Sequence, residues 1–94
     1  MATDTQILFQ RRAEELLRSL RTDLSAADID GVQQSINEGD HAEAIRTLAW
    51  IIEKKEGTVP HSSKLKICEL SRSLVDFRDM PESFRGILLE ETEA

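Results

Sequence analysis

The chain has 94 residues, of which 39% are hydrophobic, and its 18 acidic against 12 basic side chains give a net charge of −6. This length accommodates one domain with a thin core, and no segment approaches the roughly 18 consecutive apolar residues that cross a membrane. The single cysteine excludes an internal disulfide and a cysteine-based zinc site. No basic patch followed by an apolar block is visible at the N terminus, so we expect a protein of the reducing cytoplasm.

The spacing of hydrophobic side chains predicts five helices and no strand, because apolar residues recur every three or four positions rather than alternately. The first helix spans residues 5–21, with arginines and glutamates opposite its apolar stripe. Ser25 is expected to be the N-cap of the second helix, with Asp28 three residues later as in a capping box. That helix ends at Gly39, since glycine adopts the left-handed backbone that terminates helices.

A third helix follows directly, with Asp40 as its N-cap and Glu43 three residues further on. Its apolar stripe makes this the clearest helix in the sequence. The stripe and the residues that widen it are His41, Ala44, Ile45, Leu48, Ala49, Ile51 and Ile52. We expect Trp50 to pack in or against the core, with a binding hot spot as the alternative, and Gly57 to end the helix.

Two shorter helices complete the chain. Ser62 or Ser63 is expected to cap the fourth helix, and Pro81 to be the first residue of the fifth, ahead of a solvated tail. Short links between amphipathic helices favour antiparallel or steeply crossed neighbours. The sequence therefore predicts an all-α fold, a single domain over residues 1–94 built as a small bundle of four to five short helices, with residues 1–4 and 90–94 frayed.

Acidic side chains are concentrated in residues 23–45, which contain six carboxylates and neither lysine nor arginine. They are Asp23, Asp28, Asp30, Glu38, Asp40 and Glu43. One interpretation is a solvated surface, because Asp28 and Asp40 lie at predicted helix N-termini, where negative charge is favoured locally. The other is a surface that attracts a basic partner. The acidic balance and the lack of a basic, aromatic platform argue against binding to nucleic acid.

No group of residues in the sequence predicts catalysis or metal binding. Asp28 and Asp30 with Gly31 resemble the middle of a calcium loop, but the first ligand and the closing glutamate of that loop are missing. Cys68 lies near an apolar stripe and is expected to be a buried, inert thiol, and His61 a solvated histidine in a link. We therefore expect a protein that is not an enzyme and has no metal or cofactor.

The order of capping residues and apolar positions along the chain carries one resemblance. The pattern is Leu24-Ser25-x-x-Asp28-Ile29-x-x-Val32-x-x-x-Ile36-x-x-Gly39-Asp40, then Ala44-x-x-x-Leu48-x-x-Ile51-Ile52, then Val59-Pro60. In this pattern, and over residues 7–80, the chain resembles the MafI-type immunity proteins. These are small, acidic, helical proteins that accompany polymorphic and contact-dependent toxins of bacteria.

The resemblance implies that the protein binds and neutralises a cognate bacterial toxin domain encoded by a neighbouring gene, commonly a nuclease. The six carboxylates of residues 23–45 would then mimic phosphates in the basic cleft of the toxin, a choice that comes from the charge distribution and not from the family. The alternative is a helical protein–protein adaptor or regulatory subunit without a toxin partner. A third hypothesis, a helix-turn-helix transcription factor that reads DNA with the fourth helix, is opposed by the isoelectric point near 4.8.

Overall fold

The computed structural model describes residues 4–55, 59–72 and 74–93, and over these residues the protein is an all-α bundle without strands, which confirms the predicted fold class. Its elements are α1 (Asp4–Ser19), α2 (Ala26–Asn37), α3 (His41–Lys54), α4 (His61–Ser71), a 3₁₀ turn (Phe77–Asp79) and α5 (Glu82–Glu93). Buried side chains from all five α-helices join in one hydrophobic cluster. Among the described residues, no helix combines the length and the apolar character that crossing a bilayer requires.

Helix α1 buries one face and ends earlier than its apolar stripe does. The buried residues of this stripe are Phe9, Ala13, Leu16, Leu17, Leu20 and Leu24. The predicted helix over residues 5–21 instead stops at Ser19, where the N–H of Leu20 is shared between the carbonyls of Leu16 and Leu17. The N–H groups of Asp23 and Leu24 then both donate to the Leu20 carbonyl. This turn keeps Leu20 and Leu24 in the core outside the helix.

Both predicted ends of α2 are confirmed. The Ser25 hydroxyl accepts the backbone N–H of Asp28 at 3.1 Å and so caps the first turn. At the other end Gly39 has a φ of +80°. Its N–H donates to the carbonyl of Ile36, and the N–H of Asp40 donates to that of Ser35, each at 3.0 Å. This pair of bonds is the Schellman arrangement, which gives partners to two carbonyls that the helix end would leave bare.

Helix α3 lies at the centre of the bundle, between α2 and α4. Its N-cap is Asp40, as predicted, whose Oδ1 accepts the N–H of Glu43 at 3.3 Å. Its core side chains are at most 2% exposed. They are Ala44, Ile45, Leu48, Ala49 and Ile52. Ile51 is half-buried, so it widens the stripe as expected, whereas the predicted end at Gly57 lies outside the described residues.

The predicted serine cap of α4 is wrong. The helix begins at His61, Pro60 occupies the N-cap position, and no side chain caps this end. The Ser63 N–H donates to the Pro60 carbonyl instead, and the Ser63 side chain is buried. Because proline fixes the backbone dihedral needed at this point, the helix can begin without a hydroxyl cap. His61 is consequently the first residue of α4, and the prediction that it lies in a link is wrong.

Helix α5 begins one residue later and extends further than predicted. Pro81 directly precedes the helix, and its carbonyl accepts the N–H groups of Phe84 and Arg85 at 3.0 Å. The helix continues to Glu93, so residues 90–93, expected to be a solvated tail, are helical. Phe84 is completely buried and its carbonyl accepts the Cys68 thiol at 3.8 Å, which joins α5 to α4.

Candidate protein-binding surface

The six predicted interface carboxylates do not form one cluster, because α2 separates them. Asp28 lies in the first turn of α2, Glu38 follows its last residue, and α2 has 12 residues. At about 1.5 Å per residue, the backbones of these two acids lie about 15 Å apart along the helix axis. Asp23 belongs to the Asp28 end and Asp40 with Glu43 to the Glu38 end, while Asp30 lies between them. The acids are therefore spread along and around α2 and not on one face, since residues two apart, such as Asp28 and Asp30, lie on opposite sides of a helix.

Asp28 is paired with a lysine, Lys55, that lies outside the acidic segment of residues 23–45. The Lys55 ammonium nitrogen lies 3.9 Å from Asp28 Oδ2, and both side chains are 33% exposed. Lys55 follows α3, so this contact shows that α3 runs back along α2 in the antiparallel sense. A pairing this exposed stabilises the fold by little, but it compensates the Asp28 charge.

Glu43 is also compensated, from within its own helix. Arg46 forms an ion pair with its Oε2, and the Thr47 hydroxyl donates to its Oε1 at 3.2 Å. The hydrogen bond from Arg46, with its positive charge and the Thr47 bond adding to it, holds the pKa of the Glu43 carboxyl below its ordinary value. Both carboxylate oxygens of Glu43 therefore already accept hydrogen bonds, and Glu43 attracts a basic partner less than its charge alone indicates.

Four of the six carboxylates face solvent without an ion pair in the part of the chain that the structure describes. We call them the α2 carboxylates: Asp23, Asp30, Glu38 and Asp40. Asp30, Glu38 and Asp40 are exposed and Asp23 is half-buried. Glu38 Oε1 accepts a hydrogen bond from the Gln34 amide at 3.2 Å, and Asp40 uses one oxygen to cap α3, and neither of these donors brings a positive charge. These four side chains carry the negative charge around α2 that no ion pair of the described residues neutralises, although Arg46 interacts electrostatically with Asp40 as well as with Glu43.

Trp50 lies at the surface and not in the core, since 44% of its area is exposed. Its indole N–H donates to the carbonyl of Asp79 at 2.9 Å and so ties the 3₁₀ turn to α3. Phe77, in the same turn, is 39% exposed. Phe77 lies three residues after Leu74, at an interval that would suit a continued α4, and nothing in the sequence indicates that this turn returns to α3.

His41 packs against the first helix at the other end of α3. Its ring stacks on Phe9, with centroids 4.3 Å apart and planes inclined by 26°. Beside this pair lies a groove that the sequence did not predict, because its walls come from three separate parts of the chain. It is lined by Gln6, Phe9, Gly39, Asp40, His41, Ala42 and Leu74.

The described residues contain no group of three or more histidine, cysteine, aspartate or glutamate side chains able to hold a metal ion. Cys68 is completely buried, and burial raises the pKa of its thiol. A buried neutral thiol is a poor nucleophile. The arrangement of surface charges and apolar side chains thus suits binding to another molecule.

A comparison of the chain with protein-family models, with curated proteins and with solved structures found no significant match. The similarity to MafI-type immunity proteins therefore stays an expectation from the sequence pattern.

Proposed function

We propose that this protein is an immunity protein that binds a cognate bacterial toxin domain and neutralises it through the acidic surface of α2. The observation that carries the proposal is the set of four α2 carboxylates, which face solvent around this helix while the other two acids of the segment are paired with Lys55 and Arg46. The sequence resemblance supplies the class of partner. A nuclease is the toxin type that fits this surface best, because its substrate cleft is basic.

Charge complementarity would act mainly on the rate of association. Negative carboxylates along α2 attract a basic cleft over about a Debye length, roughly 8 Å at physiological salt, and orient the encounter. The same charges repel nucleic acid, so such an inhibitor does not bind the substrate of a nuclease itself. Val32 and Ile36 anchor α2 in the core, so the backbone that carries the carboxylates is ordered before binding, which lowers the entropy cost of binding.

The proposal is tested by expressing the C-terminal domain encoded by the gene directly upstream, with and without this protein, in the same bacterial cells. Growth and co-purification are measured together. We expect growth arrest that the protein relieves and a complex that is recovered intact. A domain that is not toxic and does not bind the protein would contradict the proposal.

The second candidate function is a helical adaptor or regulatory subunit, and exposed Trp50 and Phe77 favour it. Tryptophan is enriched in interface hot spots, and Trp50 is held in one orientation by its bond to Asp79. An adaptor that uses this face loses its partner in a Trp50→Ala variant, whereas an immunity complex made through α2 keeps it. Leu89→Ala, which removes a comparably exposed side chain from α5, is the control.

A further inference from the structure

The groove beside His41 has an apolar interior and an open mouth. Its volume is about 370 Å³, within the size range of ligand pockets, and we name it the Leu74 groove after the side chain on its rim. Its apolar lining comes from buried Phe9, from Ala42 and the His41 ring stacked on Phe9, and from Leu74, which is 37% exposed. An apolar side chain would find contacts there that it lacks in water.

Carboxylates set the charge at the mouth of the Leu74 groove. Asp40 is the one carboxylate among the described residues that line it, and exposed Glu38 lies two residues before Asp40. The negative end of the α2 dipole and the positive end of the α3 dipole meet at Gly39, so the two dipoles largely offset each other. Arg46, in α3, forms its ion pair with Glu43 and also interacts electrostatically with Asp40. The groove therefore presents an apolar interior beside two carboxylates, Glu38 and Asp40, that form no ion pair among the described residues.

We propose that the Leu74 groove is the docking site for a basic amphipathic protein segment, which inserts an apolar side chain and places lysine or arginine beside Glu38 and Asp40. A second copy of this chain does not suit the site, because each copy carries a net charge of −6. The inference deepens the proposed function and rests on it for the identity of the partner: the segment belongs to the toxin and is what the acidic surface recognises.

The experiment uses defined peptides, so it does not require the toxin. A short helical peptide of leucine and lysine is titrated to millimolar concentration into the isotopically labelled protein, and backbone amide shifts are followed by NMR. A matched peptide with glutamate in place of lysine is the charge control. We expect the leucine–lysine peptide to shift the amides of Phe9, Asp40, Ala42 and Leu74, and the leucine–glutamate peptide to leave them unchanged.

Two pairs of variants distinguish binding in the groove from nonspecific binding to the protein surface. Leu74→Ser should weaken the peptide about tenfold, whereas Leu65→Ser, which alters an equally exposed leucine on α4, should leave the affinity within about twofold. Glu38→Gln with Asp40→Asn should weaken binding and reduce its salt dependence, and asparagine keeps the cap of α3. Glu82→Gln with Glu90→Gln reduces the net negative charge by the same amount at other sites and should have little effect on peptide binding.

Four outcomes would overturn the inference: no shift with the leucine–lysine peptide, equal shifts with both peptides, equal losses in Leu74→Ser and Leu65→Ser, or groove shifts that grow with protein concentration alone. The last result would assign the groove to a second copy of the chain. If the toxin co-expression test fails while peptide binding is intact, the proposed immunity function is wrong and the docking site stands. If the protein neutralises the toxin but does not bind the peptide in the groove, the immunity function stands and the docking site is wrong.

Discussion

At the scale of single residues, Gly31 and Gly39 show how the same residue type can cost or add stability. Gly31 lies inside α2, is exposed, and an added Cβ would meet no atom within 4 Å. Gly39 has the same free space but a φ of +80°. Glycine in a helix interior is less favourable than alanine, while a left-handed backbone penalises any side chain.

We therefore expect Gly31→Ala to raise the free energy of unfolding by about 0.5–1 kcal/mol and Gly39→Ala to lower it by about 1–2 kcal/mol. Urea unfolding followed by circular dichroism measures both. Loss of stability in Gly31→Ala would show that this position is constrained by something other than helix propensity.

At the scale of whole helices, the starts of α2 and α4 differ in what stabilises them. Ser25 caps α2 with its hydroxyl, whereas Ser62, a candidate cap from the sequence, is exposed within α4 after Pro60. Ser25→Ala should lower the free energy of unfolding by about 1 kcal/mol, and Ser62→Ala should change it by less than about 0.5 kcal/mol. Equal losses in the two variants, measured by urea unfolding, would mean that the hydroxyl of Ser62 stabilises the start of α4 after all.

The same comparison shows why helices were predictable and some of their ends were not. Ser25 and Gly39 act through bonds to backbone a few residues away, so a local pattern reveals them. The end of α1 at Ser19 depends instead on the burial of Leu20 and Leu24 against other helices, which no local pattern specifies. The 3₁₀ turn does have a local cap, because Asp76 accepts the N–H of Arg78, but its attachment to α3 depends on the distant indole of Trp50.

At the scale of the whole molecule, the negative charge of the candidate surface was predictable, but the carboxylates that stay without an ion pair were not. Counting charges along residues 23–45 found the acids, yet the fold brings Lys55 from beyond that segment to Asp28. Arg46, the next basic residue, neutralises Glu43 across one turn of α3. The Leu74 groove was not predictable at all, because its lining residues are separated by up to 68 positions in sequence, from Gln6 to Leu74.

The four α2 carboxylates should therefore govern association while contributing little to folding. Neutralising them together, as Asp23→Asn, Asp30→Asn, Glu38→Gln and Asp40→Asn, changes the net charge from −6 to −2. With the toxin domain as partner, we expect the association rate at low salt to fall at least about tenfold, because steering by complementary charge is lost. Stability should change by less than about 0.5 kcal/mol for each exposed site, since asparagine preserves the α3 cap.

A matched variant separates local complementarity from overall charge. Replacing Glu14, Glu15, Glu82 and Glu90 by glutamine also gives a net charge of −2 but alters α1 and α5. If the α2 carboxylates face the partner, stopped-flow association of this control stays much closer to that of the natural protein, and the difference between the two variants shrinks as salt shortens the Debye length. Equal slowing of both variants would mean that net charge alone attracts the partner, and the interface would then have to be sought away from α2.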